Sequence, residues 1–324
     1  MFDVIACGEL LIDFVSTQSG VTVGEAPAFQ KAAGGAPANV AVGVARLGYR
    51  AGFLGQVGED DFGHFLAGTI AEAGVDVGGL RFSDEARTAL AFVSLRSDGE
   101  RSFMFYRHPS ADMLWRPEDV DHQYVASTRI FHHGSISLIG EPSRSATLAA
   151  IEYARSGGAL ISYDPNLRLA LWPSEAAARA GILAAWPFAD IIKVSEEELV
   201  FLTGDASLES AARSLWSDRL RLLVVTRGPD GCTYFTREGN GSAPGFAVTP
   251  VDTTGAGDGF VAGLLAGLLD SMPPGGDQSD LRWDAATLEH ALRLGNAVGA
   301  LATTQKGAIP ALPTRAAVEA FIAA

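Results

Sequence analysis

Short β-branched and apolar runs alternate with Ala-rich stretches of helical period along most of the chain. The strand-like runs are Val4 to Cys7, Ala51 to Val57, Arg129 to His132, Leu160 to Tyr163, Asp190 to Val194 and Leu222 to Thr226. Helical stretches fall between them, at Pro37 to Leu47, Phe62 to Ala73, Ser143 to Arg155, Ser174 to Ala185, Glu196 to Leu202 and Leu208 to Trp216. Strands that alternate with helices pair in parallel, because each crossover lays its helix on a face of the sheet. The pattern predicts a doubly wound α/β domain. No internal repeat is visible, and the longest loop-like tract is Ser271 to Asp280, rich in Pro, Gly and Asp.

One segment breaks the alternation. Arg87 to Arg96 and Arg101 to Arg107 are two β-type runs separated by Ser97-Asp98-Gly99-Glu100, and an Asp-Gly pair favours a tight hairpin. Phe103 and Phe105 alternate with Met104 and Tyr106, so one face of this hairpin can meet a ligand or partner. An active-site lid is expected; an edge hairpin completing the sheet is the alternative.

Composition narrows the field. With 48% hydrophobic residues in 324, the chain has ample material for a core. The net charge is −14 and the basic residues are scattered singly, so no face suits a nucleic-acid backbone. Any anionic ligand must be held by local donors. Cys7 and Cys232 are too few for a disulfide framework or a zinc site, and a reducing compartment fits. The first twelve residues carry Asp3 and Glu9 and lack a basic start, so they form a first strand rather than a leader. The longest apolar run, Gly259 to Leu269, has eleven residues, short of a membrane span. A cytoplasmic protein with no membrane or nucleic-acid partner is expected.

Two glycine-rich clusters carry the chemistry. Asp252-Thr253-Thr254-Gly255-Ala256-Gly257-Asp258-Gly259-Phe260 opens directly into the apolar helical run Val261 to Leu269. Amides of Gly255, Ala256 and Gly257 at a helix start would form an anion hole. Asp258, on the first turn, would repel a phosphate that it merely touched, so it makes sense as the base for an attacking hydroxyl; the plain alternative is an acidic residue favoured by a helix N-terminus. Gly34-Gly35-Ala36-Pro37-Ala38-Asn39-Val40-Ala41 is a second turn leading into a helix, with Pro37 suited to its first position. Asn39 can donate and accept to paired hydroxyls, and Asp13 can add an acceptor; a capping Asn and a solvated Asp is the alternative. His132 and His133 lack metal-ligand spacing and are expected in the core or behind the site. No Gly-x-Gly-x-x-Gly follows the first strand, where Gly8 and Glu9 stand instead, which argues against a dinucleotide enzyme.

Taken together, the two clusters resemble the N- and C-terminal signatures of the ribokinase-like family, also called the phosphofructokinase B type of sugar kinase. The likeness runs from Gly8-Glu9 to Lys306-Gly307-Ala308. It implies one domain over 1–324, a three-layer α/β/α sandwich with a mostly parallel sheet, and a small β-sheet lid from segments near 15–31 and 87–110. It further implies Asp258 as catalytic base, Gly255 to Gly257 as anion hole, and Asp13, Gly34, Gly35 and Asn39 as sugar contacts. Lys193, Glu198, Thr226, Gly228, Gly231 and Asn296 match positions that serve ATP and its Mg²⁺. Asp252, the Thr254 and Ala302 carbonyls and Gly307 match a K⁺ loop, although Ala311 offers no hydroxyl where some relatives have Ser. Likewise Ser195-Glu196-Glu197-Glu198 has Ser where the family often has Asn.

Within the family the chain is most similar to bacterial and plant fructokinases. The supporting residues are Phe103 to Arg107, Pro109 to Asp112 and Asp164-Pro165-Asn166-Leu167-Arg168 leading to Leu171-Trp172-Pro173. Phe105, Arg107 and Arg168 are thereby expected at the sugar. The implied partners are a small sugar and ATP, with a homodimer through the lid. A 2-keto-3-deoxygluconate kinase and a catalytically silent subunit with the same fold are the rivals.

Overall fold

The computed structural model describes residues 1–95, 101–273, 278 and 281–324. In chain order the first half runs β1 (Phe2–Cys7), β2 (Leu11–Ser16), β3 (Phe29–Gly34), α1 (Ala36–Arg46), β4 (Ala51–Gly58), α2 (Asp61–Glu72), β5 (Asp76–Ser83), β6 (Leu90–Leu95), β7 (Arg101–Tyr106), α3 (His122–Ala126), β8 (Thr128–His133) and α4 (Ser143–Ser156). The second half continues with β9 (Leu160–Tyr163), α5 (Glu175–Ala185), β10 (Ile191–Ser195), α6 (Glu196–Thr203), α7 (Leu208–Ser214), β11 (Leu222–Thr226), β12 (Cys232–Phe235), β13 (Asn240–Ala243), α8 (Ala256–Ser271), α9 (Ala285–Ala302) and α10 (Arg315–Ala323).

Nine strands form one sheet in the order β13-β12-β11-β10-β9-β8-β1-β4-β5. Pairing is parallel from β5 to β11 and antiparallel for β11–β12 and β12–β13. The period-two alternation of the central strands explains the layers. Val4 and Ala6 pack with Ile130, Leu160, Ile191 and Val224 against α1, α8 and α9, whereas Ile5 and Cys7 pack with Phe131, Ile161, Ile192 and Val225 against α4, α5 and α6. The result is the three-layer α/β/α sandwich.

α8 is apolar nearly all the way round, and every residue from Asp258 to Leu269 is buried. Such a helix has no solvent face because it is enclosed, here between α1, α9 and the sheet. Its first turn is thereby driven under the carboxyl ends of the strands.

A second sheet, β3-β2-β6-β7, is built from segments outside the alternation. β2 pairs antiparallel with β3 and parallel with β6, and β6 pairs antiparallel with β7. The expected turn at Ser97 to Glu100 and most of the Ser271 to Asp280 tract lie outside the described residues. The large-sheet strands and helices predicted from periodicity appear within one or two residues of their predicted ends. β2, β3, β5, β12 and β13 are not among the strands expected from periodicity: Phe29-Gln30-Lys31-Ala32-Ala33-Gly34, the Gly-Gly pair in β5 and Asn240-Gly241-Ser242-Ala243 lack a β-branched alternation, and β12 is only four residues long.

Leu265, fully buried in the middle of α8, tests this enclosure. Leu265→Ala is expected to lower the unfolding free energy in urea by about 3 kcal/mol. Val200→Ala, on an exposed face of α6, should stay within about 0.5 kcal/mol.

Candidate functional site

The chain order reverses around β1, which lies between β4 and β8. In open α/β sheets, ligands bind outside the carboxyl ends of the strands at such a switch point. The ends of β1, β9, β10 and β11, the amino ends of α1 and α8, and the small sheet all meet in this part of the molecule.

Gly255 caps α8 with φ of 78°, a left-handed conformation that costs a residue with a Cβ about 1 kcal/mol or more. First-turn amides have no intrahelical acceptor, and that of Ala256 makes only a long bond of 3.3 Å to the Thr253 carbonyl. On the next turn position the Asp258 carboxylate is buried, and its Oδ2 accepts a 2.7 Å hydrogen bond from Asn39 Nδ2 on α1. Asn166 Nδ2 approaches Oδ1 at 3.5 Å from the loop after β9. The two glycine-rich clusters of the sequence therefore meet at one carboxylate.

Lys193 on β10 stands beside this turn. A Cβ built on Gly257 would lie 3.4 Å from its Nζ, so the missing side chain leaves a cradle between the helix amides and an ammonium. The ammonium pairs with Asp164 at 3.2 Å, both groups being buried. Glu198, at the third position of α6, accepts from the Ser195 amide at 2.8 Å and the Leu167 amide at 2.6 Å, while Ser195 Oγ accepts from the Glu198 amide. This is a capping box, legible in Ser-x-x-Glu, and it gives Ser195 a defined task.

Burial raises the Asp258 carboxyl above the ordinary range, against the pull of the Asn39 bond and the Arg168 and Lys193 charges. Asp164 is also pushed up, by burial and by the Glu198 and Asp258 carboxylates, with Lys193 opposing. Burial disfavours charge on Lys193, yet Asp164, Glu198 and Asp258 together hold its ammonium above the usual value. The site thus carries more buried carboxylate than fixed cation.

On the other side of Asp258 lies the turn from β3. Asp13 on β2 faces Gly34, where any Cβ would fall 2.1 Å from Asp13 Oδ2, so only glycine leaves room for the carboxylate. Gly35 follows and opens α1. Phe105, stacked at 5.8 Å on Phe103, borders a cavity of about 410 Å³ shared with Leu167 and Arg168. Arg168 is half-buried, and its guanidinium donates to the Asn166 and Leu167 carbonyls. Arg107, expected beside them, is 6% exposed with its guanidinium committed to Asp112.

The remaining expected residues lie along the ends of β10 to β12 and the α8–α9 loops. Thr226 ends β11 with its hydroxyl on the Val194 carbonyl, and Gly228 and Gly231 frame the turn into β12. Asn296 on α9 donates to the Ala243 and Pro244 carbonyls at 3.2 and 3.1 Å. Asp252 accepts from the Thr254 amide and hydroxyl with one oxygen and from the Gly307 amide at 2.9 Å with the other. Ala302, the last residue of α9, precedes Thr303, whose carbonyl takes the Val251 and Asp252 amides. The loops carrying the four expected K⁺ residues are thus stitched together.

His132 and His133 are buried and uncharged, burial dropping them to about 3 and about 4; His133 stacks on Tyr163 and His132 meets Ser162, as expected of core histidines. Asp164 and Asn166 carry part of the likeness to fructokinases, but the sequence alone assigns them no role. Their signal was the Asp-Pro-Asn that follows a buried strand, and Asn166 occupies the left-handed region at φ 44°, which asparagine tolerates best among residues with a side chain. A larger cavity of about 450 Å³ around Trp216, Phe235 and Arg237 lies at the β12–β13 turn, the opposite end of β12 from Gly231, and has no comparable cradle.

An anion cradle beside a buried carboxylate, facing a turn that offers amide and carboxylate groups to hydroxyls, is the arrangement of a phosphotransferase acting on an alcohol. Residues 1–315 match the family described as pfkB family carbohydrate kinase. The chain belongs to that family. It is similar to probable fructokinase-3 of Arabidopsis thaliana, 57% identical over 312 residues that cover 96% of this chain and 88% of the relative. Among solved structures it is similar to a fructokinase with bound ATP from Xylella fastidiosa, with a TM-score of 0.91, 38% identity and coverage of 99% and 98% of the two chains. It is likewise similar to a double-mutant fructokinase from Vibrio cholerae O395 in a fructose-, ADP- and potassium-ion-bound form, with a TM-score of 0.86, 40% identity and the same coverage of each.

Removing the ammonium should expose the charge imbalance. Lys193→Met strands Asp164 as a buried, unpaired carboxyl and is expected to destabilise by about 3 kcal/mol in urea. The double variant Lys193→Met, Asp164→Leu should recover most of that loss, and measurement of both in one denaturation series checks the pair.

Proposed function

We propose that the protein transfers the γ-phosphoryl group of ATP to the primary 6-hydroxyl of D-fructose. The observation that carries this reading is the Asn39–Asp258 contact, which places the buried carboxylate between the cradle and the hydroxyl-reading turn. The choice of fructose rests on the likeness to fructokinases along nearly the whole chain.

Asp13, Gly34, Gly35 and Asn39 hold the sugar, with Phe105 and Arg168 along its far side and Arg107 holding the root of β7. Asp258 takes the proton of the attacking hydroxyl as that oxygen forms its bond to phosphorus and the bond to the β-phosphate oxygen breaks, releasing ADP. The Gly255, Ala256 and Gly257 amides and Lys193 balance the charge of the transferring group. Thr226, Gly228, Gly231 and Asn296 line the nucleotide's remaining length.

Among the described residues no cluster of three or more His, Cys, Asp or Glu could cage a metal, and both Glu198 oxygens accept backbone amides. Asp164 and Glu198 are the residues that would hold Mg²⁺ near the nucleotide, where it would supply charge neutralisation. The surplus of buried carboxylate fits such a cation. Asp252, Gly307 and the Thr254 and Ala302 carbonyls are assigned to K⁺.

The small sheet is assigned as a lid that excludes water from the sugar. Val15, Phe103, Met104 and Tyr106 are exposed on it, and a second copy docking there is part of this reading, which sedimentation of the wild type against Met104→Glu tests: a dimer shifting to monomer is expected. No described helix is long and apolar enough to cross a membrane, and the free, buried Cys7 and Cys232 suit a cytoplasmic setting.

The deciding experiment is initial-rate ADP release with ATP, Mg²⁺ and K⁺ on D-fructose, 2-keto-3-deoxygluconate, ribose and a no-sugar blank. Fructose should be preferred, and Asp258→Asn should lower kcat by about 10³-fold with fructose affinity little changed. Preference for the keto acid would turn Arg168, whose guanidinium donates to the Asn166 and Leu167 carbonyls, into a carboxylate contact. Turnover of no sugar would overturn the enzyme reading.

A further inference from the structure

Glu9 has no part in the chemistry above, yet it is 3% exposed in the middle of it. It follows β1 at the switch point of the sheet. Its Oε1 accepts the Ala36 amide, the first of α1, at 3.1 Å. Gly35 brings no side-chain cap to α1, and an acceptor for the first helical amide arrives instead from 27 residues earlier in the chain. The two segments interlock: Gly35 adopts φ 113°, and a Cβ there would fall 2.3 Å from the Glu9 carbonyl oxygen. One turn further along, the Asn39 amide bonds the Gly35 carbonyl at 2.9 Å, and the Asn39 side chain reaches Asp258.

The groups that face Glu9 come from three elements. Ala36 presents the amino end of α1, whose dipole favours an anion there. Arg107 and Asp112, paired with each other at the root of β7, act on the Glu9 charge in opposite senses. Cys7, on β1 itself, has its thiol pushed up by burial and by Glu9. Glu9 therefore joins the first strand, the sugar-side helix and the root of the small sheet.

We propose that Glu9 is a positioning residue for phosphoryl transfer: its carboxylate fixes the amino end of α1 and with it the Asn39 contact that orients Asp258. This rests on the reading of Asp258 as the base. A carboxylate accepts an amide more strongly than a neutral acid does, so the ionised form holds the helix better.

Burial raises the Glu9 carboxyl from the ordinary 4.5 to about 7, against its own backbone amide, Arg107 and the Ala36 amide. The signs then oppose each other. A raised folded pKa means that the folded state binds the proton more readily than the unfolded chain. The contribution of Glu9 to stability is therefore fully present below pH 4.5, and it is lost as pH rises to about 7. Over that same rise the carboxylate forms and the site becomes ordered for turnover.

The test measures kcat, the KM for each substrate and the melting temperature from about pH 5.5 to about pH 8.5 for the wild type, Glu9→Gln, Glu9→Ala and Asp258→Asn. Glu9→Gln keeps an acceptor at Ala36 but cannot ionise. It should melt higher than the wild type above pH 7, lose the rise in kcat across neutrality and keep the wild-type KM for ATP. Glu9→Ala removes the acceptor and should lower kcat by about tenfold or more. Any limb that Asp258 contributes persists in Glu9→Gln, so the difference between the two profiles isolates Glu9. A Glu9→Gln profile that superimposes on the wild type overturns the proposal, even if Glu9→Ala does not fold. Wild-type turnover in Asp258→Asn would instead overturn the base assignment, whatever Glu9→Gln does.

Discussion

A carboxylate buried at the first turn of a helix is held in place by an amide 219 residues away, and most of the architecture serves that contact. Asp258 and Asn39 lie on the opening turns of α8 and α1, so the amino ends of two helices must converge within hydrogen-bond distance. Convergence requires α1 and α8 to lie side by side on the same sheet face, with both openings at the carboxyl ends of the strands. The apolar circumference of α8 secures this, since a helix without a solvent face has one place to go. Gly43 completes the fit: a Cβ there would fall 2.5 Å from that of Ala262, so the two helices approach closely just below the site.

The electrostatics follow from the same enclosure. Buried Asp164 and Asp258 and half-buried Glu198 gather around one buried lysine, an arrangement that stability alone would not select. Asp258 and Glu198 are supported by neutral donors that fix their positions without cancelling their charge, Asn39 for the first and the Ser195 and Leu167 amides for the second, while Asp164 takes the Asn166 amide and is paired with Lys193. Such groups cost little reorganisation when a cation and a phosphoryl group arrive, which is what preorganised charge contributes to a transition state.

How much of this was legible in the sequence depends on whether a feature is local. The central strands and the helices between them were, because burial of one or both faces imposes a period on the residues themselves. The glycine-rich openings of α1 and α8 were, since their glycines answer to backbone geometry and to a carboxylate that leaves no room for a Cβ. β3, β5 and β13 were not. Each is an edge strand with one pairing neighbour, and Gln30, Lys31 and Gly241 satisfy a partly exposed edge as well as any β-branched residue would. The charge surplus around Lys193 was also hidden, because Asp164, Glu198 and Asp258 come from three separate segments and only the fold sums their charges. Arg107 shows the converse: its segment was recognised, but its commitment to Asp112 depends on how the chain turns five residues later.

The site is divided along the chain as well as in space. Residues that would meet the sugar come mainly from the first third, together with Arg168, while those that would meet the nucleotide lie from Lys193 onward. Asp258 stands at the joint, belonging by sequence to the nucleotide half and by its hydrogen bond to the sugar half. With Asp258 as the proposed base, a contact tied across that joint would be ordered only when both halves are in register, so displacing either would cost turnover. Glu9 extends the same logic to the small sheet, since it touches the opening of α1 on one side and feels the charge of Arg107 on the other. Movement of the small sheet over the sugar would change the field at Glu9, and through Ala36 and Asn39 that change has a short path to the base.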